Sequence, residues 1–251
     1  MTYIFLAFFG LAMGSFFGVV AERLSTGKNL GGRSRCDFCR KTLQAADLIP
    51  IVSFVAHRGK SRCCKKKLSF KYPIIEATTS LAYILVWTSV GAQPFLSIMV
   101  LYTIISCAII IIFADLHYHI IPDAVIAILT GAIFVKLLLE ANLMVLAQNF
   151  AGGLLLAGIL GLLYLATKGK GMGMGDVKLA FPIGLLLGPI QGFLALYLAF
   201  IFGGLWGGLL LLTGKRKLKS MIAFGPFLIL GMLVMVGWGD FIAQWVRKLF
   251  T

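Results

Sequence analysis

FLSIMVLYTIISCAIIIIFAD, residues 95–115, is twenty residues without a charge followed by one carboxylate. A run of that length is about what a helix needs to cross roughly 30 Å of hydrocarbon. An acid at the end of such a run has to be explained, because Asp, Lys or Arg at a bilayer centre costs roughly 2.5–3.5 kcal/mol. Working outward, similar apolar runs recur over the whole chain. It has 251 residues, 60% of them hydrophobic, with a mean hydropathy of +0.97. Soluble domains hold about 45–50% apolar residues. The runs do not alternate as barrel strands do. The reading is therefore an all-α polytopic membrane protein.

About eight transmembrane helices are expected, over residues 3–21, 72–91, 95–114, 121–139, 145–166, 176–188, 190–213 and 221–239. The first lacks a basic leader and runs on into Glu22-Arg23, so it reads as a helix and not as a cleaved signal. The sixth is short and reads as tilted or half-inserted. Pro182 and Pro226 predict kinks inside the sixth and eighth. Residues 240–251 read as a short interfacial helix, from Phe241, Trp245, Val246 and Phe250. The organisation is thus a first helix (1–21), a basic loop with cysteines (22–71) and a helical bundle (72–251).

The formal net charge is +14, from 23 Lys+Arg against 9 Asp+Glu. In a soluble chain this would point to nucleic acid. Here the charge is concentrated in loops between spans, which favours positive-inside topology and contact with anionic lipid over that reading. Segment 22–71 is then cytoplasmic. Alternation puts 114–121, 167–176 and 214–220 on the same side, the last carrying Lys215, Arg216, Lys217 and Lys219. The loops near 92–94, 140–145 and 189 carry neither Lys nor Arg. Arg247 and Lys248 are the exception.

This topology brings Asp115 and Asp176 to one membrane face at similar depth. Two carboxyl groups sharing a proton can hydrolyse a peptide without a nucleophilic side chain. The ionised one takes a proton from water, and the protonated one hydrogen-bonds the carbonyl. Asp176 lies in Gly173-Met174-Gly175-Asp176-Val177-Lys178. Gly171, Gly173 and Gly175 allow positive φ and close backbone approach, so a substrate strand could lie against them beside Asp176. Lys178 either tunes the pair or anchors the cytoplasmic face. Asp123, after Pro122, reads as a helix-dipole partner, and Glu76 as a buried acid. His117 and His119 beside Asp115 allow a metal reading, against the commoner one of solvated loop histidines.

Cys36, Cys39, Cys63 and Cys64 all fall in the basic loop. Cys36-x-x-Cys39 is a knuckle, and a second pair downstream supplies four thiolates that suit tetrahedral zinc. The adjacent pair departs from knuckle spacing, so incidental or redox-active thiols stand as the other reading. Cys107 reads as packing.

Together these residues resemble the prepilin peptidases, or type IV leader peptidases, of bacteria. The resemblance rests on Gly14-Ser15-Phe16-Phe17-Gly18 through Glu22-Arg23-Leu24, on Cys36-x-x-Cys39, and on Ile49-Pro50-Ile51-Val52-Ser53-Phe54. It continues through Leu68-Ser69-Phe70-Lys71-Tyr72-Pro73-Ile74-Ile75-Glu76, Asp115 with Ile121-Pro122-Asp123, and the Gly173–Leu179 motif. It implies a GxGD-type aspartic peptidase in the bacterial cytoplasmic membrane. Asp115 and Asp176 would be catalytic, with Gly173, Gly175 and Lys178 supporting. Its partners would be type IV prepilin or pseudopilin precursors, cut behind a short basic leader at the cytoplasmic face. Many such enzymes also N-methylate the new N-terminus with S-adenosylmethionine, an activity the resemblance associates with the cysteine loop. Register counted back from Ser69 aligns Cys64 with the second member of the usual second C-x-x-C and Ser61 with the first, displacing Cys63. Both a shifted zinc ligand and lost zinc binding are compatible with that register. From the residues alone, a transporter or channel using Asp115 and Asp176 as ion or proton ligands is the alternative.

Overall fold

Residues 1–91, 93–140, 142–213 and 223–249 are described by a computed structural model. The chain forms two units, Met1–Phe113 and Ala114–Thr251. In the first, α1 (Thr2–Ser25) leads into a loop that holds one 3-10 turn (Ala45–Leu48) and the short α2 (Val52–Ala56). Next come α3 (Lys71–Val90) and α4 (Phe95–Tyr118), whose last turn begins the second unit. The second unit continues with α5 (Asp123–Glu140), α6 (Leu143–Ala166), α7 (Met174–Leu212) and α8 (Gly225–Leu249).

Lipid tails are as apolar as leucine, so helices associate in a membrane through close packing of small residues. In the first unit Gly10 and Gly14, one helical turn apart on α1, let α3 approach. A Cβ at Gly10 would lie 2.5 Å from Ser80 Cα, and one at Gly14 2.6 Å from Glu76 Cα. That contact fixes the depth of Glu76. In the second unit Gly152 on α6 meets Gly184 on α7 backbone to backbone, and Gly231 on α8 meets the Ala195 carbonyl on α7.

The loop between α1 and α3 is organised differently. From Thr26 to Phe70 only Cys36 and Ser61 are buried, too little to form an apolar core. Its order comes from two matching turns. In one, Arg35 bridges Thr42, the Cys36 N–H donates to Lys41 O (2.9 Å), the Arg40 N–H donates to Cys36 O (3.0 Å), and Arg40 has φ 61°. In the other, Lys60 bridges Lys67, the Ser61 N–H donates to Lys66 O (2.8 Å), the Lys65 N–H donates to Ser61 O (2.8 Å), and Lys65 has φ 58°.

Among the described residues, six helices are long and apolar enough to span a membrane: α1, α3, α4, α6, α7 and α8 up to Ile242. The difference from the expected eight has two causes. α5 carries Asp123, Lys136 and Glu140, the last two paired with each other, and is too charged to count. The sixth and seventh segments form one element, α7, interrupted at Gly188 (φ 73°, ψ −178°) ahead of Pro189. At about 1.5 Å per residue, the part before Gly188 is about 21 Å long, short of the ~30 Å hydrocarbon thickness. Pro226 does not kink a span. It stands in the first turn of α8, which begins at Gly225 and where a missing N–H costs little. Helix α8 also runs unbroken to Leu249, so residues 240–249 are no separate interfacial helix. The basic stretch Lys215–Lys219 and Phe250 lie outside the described residues.

Candidate active site and sulfur cluster

Asp115 and Asp176 come together in the second unit, and both are buried, at 6% and 7% exposure. Both lie beside Ile121, Asp176 through its neighbour Gly175 and Asp115 through its partner Gly225. Burying two acids is costly unless their charge is compensated, and here backbone N–H groups at helix starts compensate it. Asp176 is the third residue of α7, and its Oδ2 accepts the Gly173 N–H at 3.0 Å, the reach-back of a capping box. Asp115 ends its own helix, but its Oδ2 accepts the Gly225 N–H, the first of α8, at 2.9 Å. Two helix N-termini therefore face the two carboxyls, each carrying partial positive charge. Each acid is held through Oδ2, which leaves each an Oδ1 for water, substrate or a shared proton.

Ile121 is the spacer of this cluster. A Cβ at Gly175 would lie 3.1 Å from Ile121 Cβ, and one at Gly225 3.1 Å from Ile121 Cδ1 and 2.8 Å from Asp115 Oδ2. Gly173, Gly175 and Gly171 do not take positive φ; Gly169 does, at 71°. Gly173 is instead an N-cap with φ −80°, and Gly175 is a close-approach position. Lys178 pairs with Asp123 through both carboxylate oxygens at 2.8 Å. The pair ties α7 to α5, two residues beyond Asp176 and eight beyond Asp115, and Asp123 also opens α5 as a dipole partner.

Sequence reading missed Gly225. Its functional group is a backbone N–H, 110 residues from the acid it serves. The available signal was Gly225-Pro226 at the head of an apolar run, which marks a helix start with an open N–H.

In the first unit the Sγ atoms of Cys36, Cys39, Cys63 and Cys64 all lie within 4.8 Å of one another. Cys36 and Cys64 are 3.8 Å apart. Four sulfurs about 2.3 Å from a central zinc are separated by about 3.8 Å in a tetrahedron; Cys39 and Cys63, at 3.0 Å, stand closer than that and would part around the metal, for which four thiols are the fitting donor set. Ser61, at the matching position of the second turn, holds Cys36 Sγ at 3.3 Å and Cys63 Sγ at 3.1 Å. Cys63 thus brings the fourth sulfur from the neighbouring position. Burial by itself raises the Cys36 thiol, but hydrogen bonds to the Cys39 backbone and to Ser61 outweigh it and bring it down to about 6. The bond to Cys63 pushes Cys39 up to about 11. Thiolates are the ligand form, so a metal bound here would displace protons from the thiols. Among the described residues this is the one such group; Asp115, His117 and His119 do not form another. Cys107 is buried in α4, in a packing role.

The profile of the bacterial peptidase A24 N-terminal domain matches residues 8–90, and that of the type IV leader peptidase family matches residues 102–208. The chain is 32% identical to a prepilin leader peptidase/N-methyltransferase of Bacillus subtilis, over 96% of each chain. It is 31% identical to one of Aeromonas hydrophila, covering 85% of this chain and 74% of that one. It is 32% identical to one of Stutzerimonas stutzeri, covering 82% and 72%. No solved structure matches the chain. Gly225 lies beyond the matched segment of the second profile.

Proposed function

The chain belongs to the type IV leader peptidase family, and from that premise we propose that Asp115 and Asp176 form the dyad by which it removes the leader from type IV prepilin-like precursors. The observation that carries this reading is the meeting of two buried carboxyls, each held by a backbone N–H at a helix start. At about 4 Å and an effective dielectric of about 20, two charges repel by about 4 kcal/mol. Two carboxyls brought that close around a substrate would share one proton. The ionised carboxyl draws a proton from water as the water attacks the scissile carbonyl. The protonated carboxyl hydrogen-bonds the carbonyl oxygen and then protonates the leaving amine. Gly173, without a side chain beside Asp176, leaves room for an extended substrate backbone, while Gly175 supports the site by letting Ile121 pack against the motif. Lys178 and Asp123 hold the two motifs in register. Membership of a peptidase family removes the ground for a transporter or channel.

The Lys and Arg distribution supports a cytoplasmic-membrane location with the dyad open to the cytoplasm, where basic leaders would reside and where anionic lipid meets the loops. The loop of the first unit suits N-methylation of the exposed amine. S-Adenosylmethionine would supply a methyl group on a sulfonium, transferred to the amine lone pair with loss of the neutral thioether. Zinc on Cys36, Cys39, Cys63 and Cys64 would hold that loop together. The test is incubation of purified protein with a prepilin and mass measurement of the product. Loss of the leader and a gain of one methyl group are expected. An intact precursor with wild-type protein, or cleavage that survives both Asp115→Asn and Asp176→Asn, overturns the dyad.

A further inference from the structure

The stretch Ile49-Pro50-Ile51-Val52-Ser53-Phe54-Val55 carries no charge, yet it stands in a loop that has no apolar core of its own. Helix α2 turns its apolar side outward. Val52 and Val55, three apart and so on one side of the helix, are 58% and 66% exposed, and Leu48 and Ile49 before them are exposed as well. Single exposed apolar residues are ordinary, but a contiguous group marks a surface that something else covers.

The position of α2 says what covers it. The Phe54 ring packs on the Phe70 ring, with centroids 5.2 Å apart, and Phe70 is the residue just before α3. Phe70, 69% exposed, heads an exposed row that continues along α3 through Ile74, Leu81 and Leu85 at helical spacing. The row lies on the side away from the buried Glu76, Ser80 and Tyr83, and it is the side that meets lipid. At about 1.5 Å per residue the 20 residues of α3 cover about 30 Å, the hydrocarbon thickness, so its start lies at the hydrocarbon edge. Phe70, and α2 packed on it, therefore lie at headgroup level. The charge agrees. From Leu48 to Ile75 there are seven Lys and Arg and no Asp or Glu. Among the described residues Arg58, Lys60, Lys65 and Lys67 form no ion pair. Long basic side chains lay their stems along apolar surface and put their charge among anionic headgroups.

We propose that α2 and its flanks form an interfacial foot, with Val52, Val55 and Phe70 buried at the headgroup–acyl boundary of the cytoplasmic leaflet and the surrounding Lys and Arg on anionic phospholipid. The proposal rests on the cytoplasmic-membrane reading above and adds which surface of the loop meets the bilayer. Its consequence reaches the sulfur cluster. The Gly59 N–H donates to Phe54 O and the Leu68 N–H to Gly59 O, both at 2.8 Å, so the turn that carries Cys63 and Cys64 is hung on α2. Seating α2 holds that turn at the membrane surface, the depth at which a newly cut amine would emerge.

The test is photolabelling of the full chain in vesicles of phosphatidylethanolamine and phosphatidylglycerol. The vesicles contain a phospholipid with a diazirine near the glycerol end of its acyl chain, and the label is mapped by mass spectrometry. Label is expected at Val52, Val55 and Phe70 as well as at Ile74 in α3. In the double variant Val52→Asp with Val55→Asp, label at residues 48–56 is expected to fall about fivefold or more, with that at Ile74 unchanged. Methylation of a product supplied already cleaved should fall about tenfold in vesicles, while prepilin cleavage persists as evidence of folding. Unchanged methylation would overturn the link to the sulfur cluster. In vesicles of phosphatidylcholine alone, label at 48–56 should fall about threefold in wild type, and equal label there overturns the choice of an anionic partner. Should the double variant fail to fold, the wild-type map still decides. Label at Ile74 and Leu81 with none at 48–56 overturns the foot, hands the face to a protein surface such as a second copy of the chain, and keeps the membrane reading intact. A chain with no label on α3 either overturns both.

Discussion

The aspartate pair and the cysteine loop reach order by opposite routes. The pair sits among long helices. Asp115 and Asp176 are positioned by side-chain packing on Ile121 and by N–H groups that the helices offer at their starts. The loop has no such surroundings. With only Cys36 and Ser61 buried between Thr26 and Phe70, it depends on two turns and on whatever joins their sulfurs. A site built on helices tolerates the loss of one contact, because packing elsewhere maintains the geometry. A site built on one set of ligands does not. The two regions should therefore respond differently to perturbation.

The largest effect expected is on the dyad. Asp115→Asn or Asp176→Asn should lower prepilin cleavage by about 10³-fold or more, since each removes half of the acid–base pair. Both proteins should still insert into membranes and still methylate a product peptide supplied already cleaved. Loss of both activities in both variants would erase the distinction between the regions.

Next comes the loop. Structural zinc contributes apparent free energies of about 10–16 kcal/mol to small domains. Removing it by chelation, or through Cys36→Ser, should open residues 26–70 to limited proteolysis and abolish methylation. Wild-type protein should carry about one zinc per chain by elemental analysis. A metal-free loop that resists protease would refute the stapling role.

A smaller effect is expected at Gly225. A Cβ there meets Asp115 Oδ2 at 2.8 Å, so Gly225→Ala should displace the carboxyl and cut cleavage about 10–100-fold. Because the fault is one of position, KM should change less than kcat. The smallest belongs to the Asp123–Lys178 pair. Both partners are well exposed, and such pairs contribute about 0–1 kcal/mol. Lys178→Met should slow cleavage by less than about fivefold. A double charge reversal, Asp123→Lys with Lys178→Asp, should recover most of that loss. A large effect of Lys178→Met that the reversal fails to rescue would assign Lys178 a direct contact with substrate.

The same contrast governs what the sequence revealed. Most spans were legible because hydropathy reports directly on a membrane environment, and Asp115 and Asp176, read from their places at span ends, are both buried in the second unit. The cysteine cluster was legible because sulfur spacing reports directly on a ligand set. Three things were not. Gly225 acts through its backbone, and a backbone N–H carries no residue label. The merging of two predicted spans into α7 depends on how Gly188 and Pro189 are accommodated against α6, where Gly152 leaves space for them. The roles of Gly173 and Gly175 were read as conformational freedom, whereas the helix start at Met174 makes one a cap and the other a contact with Ile121.

The matched turns at 35–42 and 60–67 carry a consequence for inheritance. Ser61 occupies the place that Cys36 holds in the first turn, and Cys63 makes up the missing sulfur from next door. Ser61→Cys would give the loop five thiols for four coordination positions. Cys63→Ser, damaging on its own, would then be carried silently. In genetic language Ser61→Cys would be a suppressor of Cys63→Ser, and a lineage could cross from one set of cysteines to the other through that intermediate with at least four thiols in the loop at every step.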